Sequence, residues 1–151
     1  MMVTGIRFLN IILVALVSGA TFGIWFGYNP KTFSASTYIE QQQGAIRGLN
    51  TMMPAMGLVT VLLTLFSAFQ QKDDKSTVLQ LLTASVLLIG SGLITRFGNQ
   101  PINSMVMTWT ADSMPADWTA WRDRWWSFHI IRTLASLLAL LLIVWAALRK
   151  S

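Results

Sequence analysis

The chain has 151 residues, of which 54% are hydrophobic and 11% charged, and its mean hydropathy is +0.55. Soluble domains carry about 25% charged residues, so this composition excludes a soluble globular domain and indicates a membrane protein. The net charge of +5 comes from basic residues at predicted helix ends and in loops, which argues against nucleic-acid binding. Because the chain has no cysteine and one histidine, disulfides, thiolate catalysis and a multi-histidine metal site within one chain are excluded.

Four apolar stretches are long enough to cross a bilayer, whose hydrocarbon core of about 30 Å requires about 17–25 residues per helix. They cover residues 6–28, 51–69, 78–95 and 130–148. More polar segments, 31–50 and 99–128, separate the first from the second and the third from the fourth. The pattern predicts an all-α fold, in which residues 1–151 form one integral membrane domain. Its four transmembrane helices form a bundle, and the two polar segments form a helical cap at the membrane surface.

The first predicted helix carries Gly19, Gly23 and Gly27 at four-residue intervals. Small residues at this spacing allow another helix to approach closely. Two partners are compatible with the pattern. The ridge packs either against a helix of the same bundle or against a second copy of the chain in a homodimer.

The first cap segment places Glu40, Gln43 and Arg47 on one face of a predicted helix. We expect polar surroundings beneath this face. Glu40 is the only glutamate of the chain, and we expect it to be the counter-charge of an arginine in the fourth helix. The alternatives for that role are Asp112, Asp117 and Asp123.

The third apolar stretch is followed by residues that predict a break and a new helix. Gly98 is suited to a left-handed C-terminal cap, Asn99 to an N-cap and Pro101 to a first helical turn. Asn103 then lies within the new short helix. There its amide, together with Arg122 or Arg132, is suited to donate hydrogen bonds to a carbonyl or enolate oxygen.

The fourth predicted helix has a polar stripe on one face. At about 100° per residue, Trp118, Trp125, His129 and Arg132 share this face, and Arg122 lies beside it. We expect the stripe to face inward, because an ionisable group in an apolar span requires a partner or a water-filled cavity. The flanking Trp121, Trp126 and Phe128 are typical of an interfacial aromatic belt.

Each ionisable residue of this stripe has more than one interpretation. Arg132 is either a site residue or one half of a buried ion pair that stabilises the bundle. His129 is a general base or acid, a hydrogen-bonded structural histidine, or an axial haem ligand.

Four spans place both termini on one side of the membrane. We expect a multi-pass protein of the plasma (inner) membrane with both termini in the cytoplasm, although basic residues occur on both sides. Those expected on the side of the termini are Arg7, Lys72, Lys75, Arg149 and Lys150.

The segment from Asn99 to Arg132 resembles the signature of the anthrone oxygenase-like family of small four-helix membrane proteins. The matching residues are Asn99-Gln-Pro-Ile-Asn103, Trp109, Pro115-Ala-Asp-Trp118, Arg122-Asp-Arg-Trp125 and His129-Ile-Ile-Arg132. The resemblance implies oxidation of an anthrone to an anthraquinone by molecular oxygen, with no metal or organic cofactor. It also implies that His129 is the base, that Arg132 and Asn103 stabilise the enolate, and that Trp118 and Trp125 form an aromatic pocket.

Three functional hypotheses follow. The first is a cofactor-independent oxygenase or redox enzyme that acts on an apolar aromatic or quinone-like molecule from the lipid bilayer. The second is a non-catalytic membrane module that binds a lipid or quinone or supports a partner complex. The third is a haem-binding protein or small transporter. The residues expected to contact the bound molecule are Trp118, Arg122, Trp125, Asn99, Glu40, Gln43 and Arg47.

Overall fold

The computed structural model describes residues 2–149, most of which are helical. The helices are α1 (Met2–Gly27), α2 (Ala35–Leu49), α3 (Met52–Gln70), α4 (Lys75–Ile94), α5 (Gln100–Val106) and α6 (Trp118–Leu148). A 3₁₀ turn over Pro30–Thr32 precedes α2, and a π-helical turn over Thr95–Asn99 joins α4 to α5. Met1, Lys150 and Ser151 lie outside the described residues. The two ends of the predicted domain and the predicted location of Lys150 therefore also lie outside them.

Four segments of the described chain are long and apolar enough to cross a membrane. They are Val3–Thr32, Met52–Gln70, Lys75–Val106 and Trp118–Leu148. The predicted all-α, four-helix membrane fold is thereby confirmed, and the chain is a multi-pass membrane protein. The fourth helix begins at Trp118 instead of residue 130, so the last part of the predicted cap segment 99–128 is the first part of α6.

The start of α1, the end of α6 and the α3–α4 link lie at the same end of the bundle. Arg7 Nη2 donates a 2.6 Å hydrogen bond to Gln71 Oε1, and Arg149 Nη1 donates a 2.8 Å hydrogen bond to Ser76 Oγ. The cap, formed by α2, α5 and the start of α6, therefore lies at the opposite end. Which end faces the cytoplasm stays a prediction.

The interior has two layers of different composition. The layer towards the termini is aliphatic and rich in alanine, with Ala68, Ala84 and Ala139 among its buried residues. The layer towards the cap is aromatic, with Tyr38, Trp109, Trp125 and Trp126 buried in it. Small side chains allow the transmembrane helices to approach closely at one end, while the large rings fill the wider space beneath the cap.

The predicted break at Gly98 and Asn99 was wrong. The helix continues through the π-helical turn, in which Gln100 N–H donates to Thr95 O, and none of the described glycines has a positive φ. Gly98 instead allows α6 to come close, because a Cβ at this position would lie 2.8 Å from Phe128 Cγ. Asn99 occupies the N-cap position of α5, as predicted, but its side chain makes no capping hydrogen bond and instead donates an N–H to Trp125 O at 3.0 Å. Contacts with α6 thus override the local signals for a helix end.

The glycine ridge of α1 is not used for packing within the described chain. A Cβ built at Gly19, Gly23 or Gly27 would have no neighbouring atom within 4 Å. Packing of these three positions against another helix of the same bundle, one of the two partners expected from the sequence, is therefore not found. The homodimer stays a prediction.

The close contact at Gly98 gives a stability prediction. We expect Gly98→Ala to destabilise the protein by about 1–3 kcal/mol, because the added methyl group overlaps Phe128 Cγ. Cγ is the ring carbon bonded to Cβ, so it cannot move away by rotation of the ring. Gly90→Ala is the matched control, since a Cβ there has open space. The measurement is the free energy of unfolding in mixed micelles, and equal values for the two variants would contradict the contact.

Candidate functional site

A cavity of about 110 Å³ lies beneath the cap, between α2 and the ends of the transmembrane helices. Aliphatic side chains of α1, α2 and α3, such as Ile24, Ile46 and Met53, form part of its wall, and the indole of Trp125 forms another part. The cavity also has a polar lining that comes from five different helices or turns. These polar residues are Thr21, Tyr28, Gln42, Asn50, Thr95, Asn103 and Arg132.

A second cavity of about 350 Å³ adjoins the first, deeper in the membrane-spanning region. Its wall is mainly apolar and comes from α1, α3, α4 and the π-helical turn. The two cavities share five residues, namely Thr21, Met53, Pro54, Thr95 and Arg132. Arg132 therefore lies where a small polar cavity meets a larger apolar one. We call these the polar cavity and the apolar chamber.

Arg132 is held by contacts from two helices. Its Nη1 donates to Thr95 Oγ1 at 3.1 Å, and its Nη2 donates to His129 Nδ1 at 2.9 Å, with Nε 3.3 Å from the same nitrogen. Ser91 Oγ also donates to the Arg132 carbonyl oxygen at 3.1 Å, which ties α4 to α6 at this level. Because a guanidinium has five N–H groups, one on each terminal nitrogen is left for a ligand.

Arg132 has no counter-charge among residues 2–149. The ion pairs in this part of the chain are Lys31 with Asp123 and Arg122 with Asp123, and neither involves Arg132. The pairing predicted between Glu40 and Arg132 was therefore wrong, since Glu40 is exposed on the outer face of α2. A half-buried cation without a carboxylate costs folding free energy unless an anionic or strongly accepting ligand compensates it.

His129 is fully buried and does not line either cavity. Its Nε2 lies 3.0 Å from the Thr21 carbonyl oxygen, which only accepts hydrogen bonds, so Nε2 carries the proton. Its Nδ1 faces the guanidinium of Arg132, which only donates, so Nδ1 carries the lone pair. The imidazole is therefore neutral, and both nitrogens are occupied.

This geometry disagrees with the base expected at His129. A base needs a nitrogen lone pair directed at the substrate, and an axial haem ligand needs one directed at the iron, but the lone pair of His129 is used by Arg132. The hydrogen-bonded structural alternative fits instead, with His129 positioning Arg132. Two indoles hold the ring, because Trp125 stacks on it at 5.1 Å between ring centroids and Trp126 lies at 5.6 Å. Trp126 is thus buried, and its predicted place in an interfacial belt was wrong.

Asn103 is oriented by a network of hydrogen bonds at the polar cavity. Trp125 Nε1 donates to its side-chain oxygen at 2.8 Å, and Gln42 Nε2 donates to the same oxygen at 3.4 Å. The Asn103 Nδ2 donates one hydrogen bond to Asn50 Oδ1 at 3.1 Å, which leaves its second N–H for a ligand. Tyr28 extends the network by donating to Gln42 Oε1 at 2.8 Å.

The other residues expected to contact a substrate lie away from both cavities. Trp118 packs on Tyr38, with 5.5 Å between ring centroids, and the guanidinium of Arg122 lies over Trp118. Gln43 donates to the carbonyl oxygens of Val106 and Trp109, which fixes α2 on the end of α5. Arg47, like Glu40, is exposed. The lining of the cavities thus contains Asn103, Trp125 and Arg132 from the predicted set, but not Asn99, Trp118, Arg122, Glu40, Gln43 or Arg47.

Gln42 is the main site residue that the sequence analysis missed. The buried face of α2 consists of Tyr38, Ile39, Gln42 and Ile46, so Gln42 lies at the centre of an apolar stripe with helical spacing. This apolar spacing is visible in the sequence, and it predicts the side of α2 that faces the cavity better than the polar face of the helix does. Thr21 and Thr95 had no comparable signal, because other hydroxyl side chains, such as Ser18 and Ser91, occur in the same spans. Tyr28 had none because it follows the end of α1 as one aromatic residue among several.

The cation lies near the cap-side boundary of the bilayer. Sixteen residues of α6 separate Arg132 from Leu148 at the other end, which corresponds to about 24 Å of the helix. Since the hydrocarbon core is about 30 Å thick, Arg132 lies a few ångströms inside it when Leu148 is at the opposite boundary. A ligand there has its polar atom close to the cap and its apolar part in the membrane region.

A family model described as anthrone oxygenase matches residues 43–142, which is more than half of the chain. The match includes the whole segment from Asn99 to Arg132 and confirms the resemblance found in the sequence. No curated protein and no solved structure matches the chain. Among the described residues, no three histidine, aspartate or glutamate side chains form a group suited to a metal ion.

The contact between His129 and Arg132 gives a second prediction. We expect His129→Phe to lower the free energy of unfolding by about 1–3 kcal/mol, because the new ring still packs on the two indoles while the guanidinium loses its acceptor. His129→Asn is the matched variant, since its side-chain oxygen accepts a hydrogen bond, and we expect a smaller loss. A phenylalanine variant as stable as the wild type would show that Arg132 does not depend on the histidine.

Proposed function

Because the chain belongs to the anthrone oxygenase family, we propose that it is a membrane enzyme that oxidises an apolar aromatic or quinone-like molecule with molecular oxygen, without a cofactor. The observation that supports this most directly is Arg132, a cation without a counter-charge in the described chain, which lines the polar cavity together with Trp125. A positioned cation stabilises negative charge that develops on a substrate oxygen. The second N–H of Asn103 adds a neutral donor in the same cavity.

The chemistry proposed is oxidation of an activated methylene group next to a carbonyl-bearing ring system. Loss of one methylene proton gives an enolate, whose oxygen accepts hydrogen bonds from Arg132. The carbon of the enolate transfers electrons to oxygen and forms a C–O bond, and protonation gives a hydroperoxide. Loss of the second methylene proton with cleavage of the O–O bond then leaves a carbonyl group and releases water. One oxygen atom enters the product and the other leaves as water, so no further reductant is required.

In this proposal the enzyme acts by making the substrate more acidic. The polar cavity contains two titratable side chains, Tyr28 and Arg132, and no carboxylate or histidine. Arg132 lowers the free energy of the enolate relative to the neutral substrate, so that the proton passes to water without a dedicated base. His129 contributes as a positioning residue, since it fixes the guanidinium that meets the substrate.

A specific observation also favours a second candidate, a non-catalytic module that binds a lipid or quinone. The lining of the polar cavity offers donors and a cation but no general base. Such a site is sufficient to bind an anionic or carbonyl-bearing molecule without changing it. The two candidates differ in whether the bound molecule consumes oxygen.

The proposed enzyme predicts separate effects of Arg132 on activity and stability. We expect Arg132→Gln to lower oxygen-dependent turnover of anthrone by about 100-fold or more, as loss of one oxyanion donor does elsewhere. We expect its free energy of unfolding to be equal to or above that of the wild type, because the variant removes a half-buried charge without a counter-charge. Arg124→Gln is the matched control on the same helix, since Arg124 is exposed and lines neither cavity. Oxygen uptake by protein in nanodiscs measures turnover.

Two outcomes would contradict this proposal. If Arg132→Gln retains wild-type turnover, the cation does not stabilise the reacting anion. If wild-type protein binds anthrone with an affinity that depends on Arg132 but consumes no oxygen, the binding module is the correct function.

A further inference from the structure

The apolar chamber is large enough to hold an apolar molecule. Its volume of about 350 Å³ compares with about 150 Å³ for an engineered apolar cavity that is large enough to bind benzene. Close-packed protein interiors contain few voids larger than a water molecule. A chamber of this size has room for more than one aromatic ring, or for a hydrocarbon group of similar bulk.

The mouth of the chamber opens towards lipid. Leu58 of α3 and Ile89 and Leu93 of α4 line the chamber, and each is between 44% and 61% exposed. All three lie in segments able to span the membrane. An apolar molecule dissolved in the bilayer therefore meets an apolar opening between α3 and α4.

The charged side chains that line the chamber have one sign. Arg96 and Arg132 line it, no carboxylate does, and neither arginine forms an ion pair within residues 2–149. The complementary occupant is an amphipathic molecule with an apolar body and an anionic or strongly accepting oxygen at one end. Since Arg132 also lines the polar cavity, an oxygen bound there places the body in the chamber.

Two glycines lie where side chains would occupy this space. Gly57 of α3 and Gly92 of α4 line the chamber, and a Cβ at either position would have no neighbouring atom within 4 Å. Neither residue has a positive φ, so backbone conformation does not require glycine there. Glycine also lowers helix stability relative to alanine by about 1 kcal/mol. Other described glycines, such as Gly90, have the same open space, so what distinguishes Gly57 and Gly92 is that their open space is part of the chamber.

We propose that the apolar chamber is the subsite for the body of the molecule whose oxygen lies at Arg132, and that Gly57 and Gly92 set the size of body it accepts. This inference rests on the proposed function, because it takes Arg132 as the anchor of the bound oxygen. It adds a second subsite and two specificity-determining positions to that function.

The test compares two carboxylate probes that share the anion and differ in the body. Anthraquinone-2-carboxylate has three fused rings and benzoate has one. Binding is measured by calorimetry on the full chain in nanodiscs, with empty nanodiscs as the blank. We expect Gly57→Leu and Gly92→Leu each to weaken the tricyclic probe by about tenfold or more, and to leave benzoate within about twofold.

The matched control is Gly90→Leu, which introduces the same side chain two positions from Gly92 into open space outside both cavities. We expect it to change neither affinity, and circular dichroism verifies that all variants are folded. Unchanged binding of the tricyclic probe in both chamber variants, or equal weakening by Gly90→Leu, would overturn the chamber as a subsite.

The anchor is tested separately with the same probes. Arg132→Gln is expected to weaken both probes about equally, because both lose the same partner. If it weakens neither, or if the wild type binds neither, the proposed function fails along with the inference that rests on it. If it weakens both while the chamber variants leave the tricyclic probe unaffected, the anchor stands and the chamber assignment alone fails.

Discussion

The hydrogen bond from Arg132 to the neutral ring of His129 is the interaction on which the site depends. Thr21 O accepts the Nε2 proton of the imidazole, so Nδ1 must accept from the guanidinium. A second contact, to Thr95 on the π-helical turn, fixes the other side of the cation. The guanidinium is therefore fixed by neutral partners alone, which keeps its full charge available to a ligand.

The rest of the fold makes this arrangement possible. The aromatic layer beneath the cap buries the histidine beside Trp125 and Trp126, and Gly98 lets α6 come close enough to the π-helical turn for Thr95 to reach Arg132. At the opposite end, alanine-rich packing joins the same helices, together with buried hydrogen bonds such as the one from Thr64 Oγ1 to Asn10 Oδ1. A charge that lowers the stability of the bundle but is held in one orientation is typical of a functional site, because groups needed for activity often lower the stability of the fold.

Hydropathy predicted the number and order of the four spans, because long apolar stretches have few alternatives to crossing a bilayer. It did not predict the start of the fourth helix at Trp118, because the first turns of that helix are polar and aromatic. The helical stripe correctly grouped Trp125 with Arg132, since spacing along one helix determines which residues share a face. Contacts between distant segments were harder to predict. The local sequence at Gly98 predicts a cap although the residue contacts Phe128, and charge favours Glu40 as a site residue although Gln42 lies on the buried face. The chemical role of His129 depended on which atoms its nitrogens meet, which no spacing encodes.

The most direct test of this account is the protonation state of His129. Because the chain contains one histidine, nitrogen NMR of protein labelled with ¹⁵N-histidine in nanodiscs gives signals from that ring alone. At about pH 7 we predict a neutral imidazole with the proton on Nε2, and an Nδ1 shift that changes when Arg132 is replaced by glutamine. A ring protonated on both nitrogens, or one carrying its proton on Nδ1, could not accept a hydrogen bond from Arg132 and would contradict the account.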